Sequence, residues 1–120
     1  MEPAIKDTRF GSITIGGELY EHDVVIRLNG NIKRRKKKLS NAVYGTGHMV
    51  SLDEAEHIYD KGAKLLIIGT GQTGYVELCD EARDFFIRKG CKTKLLPTPK
   101  TINAWNDAKG AVIGMFHVTC

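Results

Sequence analysis

The stretch Leu65-Leu-Ile-Ile-Gly-Thr-Gly-Gln-Thr-Gly74 decides the fold. Leu65 to Ile68 are four consecutive aliphatics with no polar alternation, so both faces of the segment must be covered, as in a central strand of a parallel or mixed sheet. Gly69, Gly71 and Gly74 then bring backbone N–H groups together with little side-chain obstruction, ahead of a predicted helix whose N-terminus favours negative charge. Two readings of these glycines stay open: a tight strand-to-helix turn, or a seat for a small phosphate or carboxylate.

Working outward, Ser51-Leu-Asp-Glu54 is a capping box, with Ser51 placed to accept the amide three residues on and Glu54 to reach back to the Ser51 backbone. The helix it opens buries Leu52, Ala55, Ile58 and Tyr59 and stops at Lys61-Gly62. Beyond the glycines, Leu78, Cys79, Ala82, Phe85 and Phe86 form a second helical stripe ended by Lys89-Gly90. Lys94 to Leu96 is a short strand stopped by Pro97 and Pro99. Thr101 to Ala108 is a third helix with Ile102 and Trp105 inward, and Ala111 to Val118 is a final strand apolar enough to be buried on both faces. Toward the N-terminus, Phe10 to Ile15 and Val24 to Leu28 read as strands, punctuated by the turn signals Gly16-Gly17 and Asn29-Gly30. Leu39 to Met49 has no period and is read as an exposed excursion.

The order is thus an N-terminal β-meander followed by αβαβαβ, a single α/β domain over residues 1–120 with helices packed on a mixed central sheet. Right-handed crossovers bring the Ser51 end of the first helix, the Gly69 turn and the Pro97-Thr98-Pro99 segment to one sheet edge, the carboxyl edge where ligands usually sit. His48, Gly69, Thr70, Gly71, Gln72, Thr73, Gly74 and Thr98 are the candidate anion-site residues there.

Composition narrows the classes. A 42% hydrophobic content suits a globular domain, and no apolar run approaches the ~20 residues of a membrane helix. The start Met1-Glu2-Pro3 lacks the apolar core of a signal peptide, so a cytoplasmic location is expected. Cys79, Cys91 and Cys120 have no C-x-x-C pairing and read as reduced thiols, with Cys79 on an apolar stripe. His22, His48, His57 and His117 are scattered with no ligand spacing, so no metal is expected.

The net charge of +4 conceals one local feature. Of 18 basic residues, six form the run Lys33, Arg34, Arg35, Lys36, Lys37 and Lys38, and the remaining 12 face 14 acidic ones. The run is read as solvated and as the candidate docking element for a protein partner. Nucleic acid is disfavoured because only Tyr44 stands near for base stacking.

Gly69-x-Gly-x-x-Gly74 matches the dinucleotide fingerprint, but Lys94-Leu-Leu-Pro97 stands where its acidic residue belongs, so no dinucleotide or other cofactor is expected. Walker A is excluded, since no Lys-Ser/Thr follows the last glycine, and nothing has the form of a nucleophile elbow. No catalytic residues are assigned.

Phe10-Gly11-x-Ile13, Gly47-His48-x-Val50-x-Leu52, Leu66-Ile67-Ile68-Gly69-Thr70-Gly71, and Thr98 with Trp105-Asn106 together resemble a family of small α/β domains of largely unknown function. That family includes the adipogenesis-associated protein and a mitochondrial complex I assembly factor. The resemblance implies a three-layer domain with a mixed sheet and no established enzymatic activity. This chain departs from it in carrying Thr101 where members often have Ala, Ala111 where they have Arg, and the basic run in place of a short loop. The combined reading is a domain that acts by binding, in the manner of an assembly or adaptor factor, with an anionic-ligand protein or small enzyme using residues 69–74 as the alternative.

Overall fold

The computed structural model of the chain describes residues 3–120; Met1 and Glu2, part of the segment read for a signal peptide, lie outside it. The N-terminal meander is β1 (Ile5–Arg9), β2 (Ser12–Ile15) and β3 (Glu18–Tyr20), antiparallel in the order β1-β2-β3. Phe10-Gly11 is therefore a turn rather than a strand start, and Gly16-Gly17 is the two-residue hairpin turn that pairs Ile15 with Glu18. Strands β4 (Val24–Ile26) and β5 (Ile32–Arg34) follow around Asn29-Gly30, where the Arg27 and Gly30 amides donate across the turn.

The excursion expected over 39–49 instead contains α1 (Lys38–Tyr44) and β6 (Met49–Val50). No side chain caps α1 and Ser40 is its one buried residue, so nothing periodic marks it; tertiary contacts hold it. Next come α2 (Leu52–Ile58), β7 (Leu65–Thr70), β8 (Glu77–Leu78), α3 (Asp80–Arg88), β9 (Lys92–Leu96), a 3-10 turn at Thr98–Lys100, α4 (Thr101–Asp107) and β10 (Val112–His117). The glycine turn does not feed a helix directly: β8 intervenes, pairs in parallel with β6, and α3 starts at Asp80 with the Cys79 sulfur accepting the Ala82 amide at 3.3 Å.

The main sheet runs β5-β4-β10-β7-β9, with β10, β7 and β9 parallel, and β4 antiparallel to both of its neighbours, β10 and β5. Its middle position belongs to β10, while β7 lies between two parallel neighbours, which is why both read as unbroken apolar runs. On one face, Val25, Leu66, Ile68, Ile113 and Met115 pack on α2 and α3 through Ala55, Ile58, Ala82 and Phe86. On the other, Val24, Ile26, Ile67 and Phe116 pack on the meander and α4 through Ile13, Ile15 and Trp105.

Trp105, 1% exposed, meets Phe116 edge-on at 5.6 Å. Its neighbour Asn106 donates to the Ile5 carbonyl and accepts the Ile5 amide, both at 2.8 Å. That side chain ties α4 to β1 in place of a further strand.

Candidate functional site

Strand directions decide what meets at the carboxyl edge of the sheet. The parallel strands β7, β9 and β10 end there, antiparallel β4 begins there and β5 ends there. Asp23, Arg35, Thr70, Thr98 and His117 are therefore collected along one rim.

The eight residues expected to form an anion seat do gather at this rim. Gly71 donates its amide to Thr98 Oγ1 at 2.9 Å, the Thr98 hydroxyl donates to the His117 carbonyl at 2.6 Å, and the His48 ring lies edge-on to His117 at 5.4 Å. Gly69 is glycine because a Cβ would meet Thr98 Oγ1 at 2.8 Å and Phe116 Cδ1 at 2.9 Å. Gly71, at φ +109°, has His117 Cδ2 2.8 Å from where its Cβ would stand and the Cys120 main chain closer still. Gly74 also has positive φ, at the end of the turn.

Several amides of the turn are engaged by the protein itself. Gln72 donates to the Thr119 carbonyl at 2.7 Å, Tyr75 to the Cys120 oxygen at 3.2 Å and Val76 to the Thr70 carbonyl at 3.0 Å. The Thr73 hydroxyl donates to that same Cys120 oxygen at 2.9 Å, and the Gln72 side chain donates to Thr8 at 3.1 Å. The turn thus also seats the segment after β10, whose Thr119 and Cys120 carbonyls take up the Gln72 and Tyr75 amides.

The principal polar feature of the rim was not foreseen in the sequence. Arg35, from the middle of the basic run, is 4% exposed. Its Nε donates to Glu54 Oε2 at 2.6 Å, Nη2 to Glu54 Oε1 at 3.0 Å and to the Gly47 carbonyl at 2.6 Å, and Nη1 to Asp23 Oδ2 at 3.0 Å. This three-way fork is a use of guanidinium that an ammonium cannot copy. Ser51 caps α2 as expected, accepting the Glu54 amide at 3.2 Å. Glu54 does not reach back to the cap, because Arg35 and the Ser40 hydroxyl hold its carboxylate.

Burial would raise the Asp23 pKa, but hydrogen bonding and charge from His117, the Val118 amide and the Arg35 guanidinium outweigh it and bring the value down to about 2. The same ion pairs raise the Arg35 pKa against its own burial. Since the ionised Asp23 can only accept, His117 Nδ1 carries the proton in their 2.7 Å contact, and Nε2 lies 3.1 Å from the Thr119 hydroxyl. Thr119, His117 and Asp23 thus stand in the order of an activated-hydroxyl relay. His117 is 3% exposed with both ring nitrogens engaged within the protein, and the array joins β4, β10 and the segment that follows β10.

The rest of the basic run faces solvent. Lys33, Arg34, Lys36, Lys37 and Lys38 are exposed, and residues 34–38 line a depression of about 370 Å³. Their field extends onto α2: burial, then the charges of Lys36, Arg27 and Lys33, hold the His57 imidazole below its usual range despite the opposing pull of Glu54. Cys79 and Cys91 are buried free thiols, as a core role requires, and Cys120 is half-buried.

Over residues 5–114 the chain matches a family described as protein of unknown function (DUF498/DUF598). Among solved structures, it is similar to conserved hypothetical protein PH1505 from Pyrococcus horikoshii OT3, at 30% identity and a TM-score of 0.90, covering 97% of this chain and 98% of that one. A second, described as MT938, is also 30% identical, with a TM-score of 0.84 over 99% and 100% of the two chains. The Xanthomonas campestris protein XCC1710 shares the fold alone: 7% identity, TM-score 0.74, 98% and 86% coverage.

Proposed function

Because this chain belongs to the DUF498/DUF598 family, whose function is unknown, we propose its role from its surface. It acts by binding, as a cytoplasmic adaptor or assembly factor, and an acidic protein partner docks on Lys33, Arg34, Lys36, Lys37 and Lys38. The observation that carries this reading is the division of labour within the run. Arg35 is anchored to Asp23 and Glu54, which fixes the segment, and the five flanking cations are presented to solvent on a held backbone rather than on a floppy loop. A fixed cluster of like charge steers an oppositely charged partner and loses less entropy on docking than a disordered run would. The assembly-factor role implied by the family resemblance agrees with this reading.

The test is capture from cell extract by the wild type and by a variant with all five exposed cations changed to Gln. The variant should keep the wild-type melting temperature and lose an acidic protein that wild type retains, and roughly 0.3 M salt should release that protein from wild type. Capture unchanged by the five substitutions would remove the proposal, as would recovery of nucleic acid in place of protein.

A further inference from the structure

The geometry points to a mode of docking at this face: we propose that β5 accepts an acidic, extended segment of the partner as a sixth strand of the main sheet. The inference rests on the basic-face reading above and adds the structure the partner adopts there.

The argument starts from strand register. Arg35 donates its amide to the Asp23 carbonyl at 3.0 Å, and Arg27 donates to the Asn31 carbonyl at 2.9 Å. Val24 stands opposite Arg34, Val25 opposite Lys33 and Ile26 opposite Ile32. In an antiparallel ladder hydrogen-bonded and non-hydrogen-bonded pairs alternate, so the Asn31 carbonyl, the main-chain groups of Lys33 and the Arg35 amide turn toward β4, while Ile32 and Arg34 turn theirs outward. The sheet ends at β5, and among the described residues neither the Ile32 nor the Arg34 amide has a protein acceptor. The edge is therefore a short, unpaired ladder step.

Side-chain placement selects the occupant. Lys33 lies on the α2 face, where its charge reaches His57, and Arg34 lies on the opposite face beside half-buried Ile32. Lys36 and Lys37 continue past the strand end. A second copy pairing here would set Lys33 and Arg34 against their own counterparts, the usual way an edge is guarded. A strand with carboxylates on both faces and an apolar residue opposite Ile32 meets complementary groups at each position, with main-chain bonds adding affinity.

The probe is a blocked heptapeptide of Glu with a single central Val, which as an extended strand carries carboxylates on both faces, titrated into the full chain while amide exchange is followed by NMR. Bound peptide should slow exchange at Ile32 and Arg34 by at least ~10-fold and leave Lys33, already facing β4, as it was. Ile32→Pro deletes one outward donor without touching the inner ladder or any charge, and should weaken peptide binding at least ~10-fold. If Ile32→Pro does not fold, the wild-type exchange pattern decides by itself. Binding that is lost on neutralising the five cations but brings no protection at Ile32 and Arg34 would overturn strand addition and leave the basic-face reading standing. Absence of peptide binding, or a β5-to-β5 dimer of this chain, would also overturn it.

Discussion

Replacing Arg35 with Ala should be the costliest change within the basic run, although composition marks it as one cation among six. The guanidinium pairs with two buried carboxylates, Asp23 and Glu54, and donates four hydrogen bonds. Removing one member of a buried ionic cluster costs about 3–5 kcal/mol, because the other charges stay behind uncompensated. In a domain whose whole stability is of order 5–15 kcal/mol, that is a large share. Taking a melting entropy near 2.1 cal/mol/K per residue, the melting temperature should fall by roughly 12–20 °C. Urea denaturation should show a midpoint lowered by roughly 2 M at an unchanged slope, while Lys36→Ala stays within about 0.5 kcal/mol of wild type. Adding Glu54→Gln to the Arg35→Ala chain should restore roughly 1–2 kcal/mol by removing one stranded charge. A loss below about 1 kcal/mol for Arg35→Ala, or no rescue by the second change, would refute the claim that Arg35 is a structural charge.

Two further outcomes follow from the same rim. The Asp23 pKa of about 2 lies below its ordinary value of 3.8, so its stabilising contribution is fully present above that ordinary value and is lost as pH falls through about 2. Acid titration of unfolding should show a loss on the order of 2 kcal/mol between pH 4 and 2 that Asp23→Asn lacks; equal slopes for the two proteins would contradict it. Gly71→Ala should cost more than about 2 kcal/mol, since the left-handed backbone and the crowding by His117 and Cys120 act together, whereas Gly90→Ala, also left-handed but facing open space, should cost about 1 kcal/mol. Chemical denaturation that ranks the two glycines equally would show that crowding at the turn is not what requires Gly71.

The parts legible in the sequence are those that local pattern controls. The apolar runs of β7 and β10, the Ser51 cap and the stripes of α3 and α4 all follow from side-chain period and punctuation, and crossover handedness then brings His48, Gly71 and Thr98 together. The parts that were not legible depend on distant pairing. Asp23 meets His117 because β4 lies antiparallel beside β10, 94 residues away in sequence, and no short-range signal reports that register. The engagement of the Gln72 and Tyr75 amides has the same origin, since their acceptors lie in residues 119 and 120. One clue to Arg35 was available. Glu54 sits four residues before Ile58 on a face shared with buried apolar groups, and a carboxylate there requires a cationic partner.

The anchoring of Arg35 between strand and helix separates two kinds of freedom within six consecutive codons. The central position is answerable to the interior, and its neighbours are answerable only to whatever comes to the surface. Drift at those neighbours can retune or exchange a binding partner while the architecture stays as it is, so related chains can diversify in what they recognise without first having to survive a loss of folding.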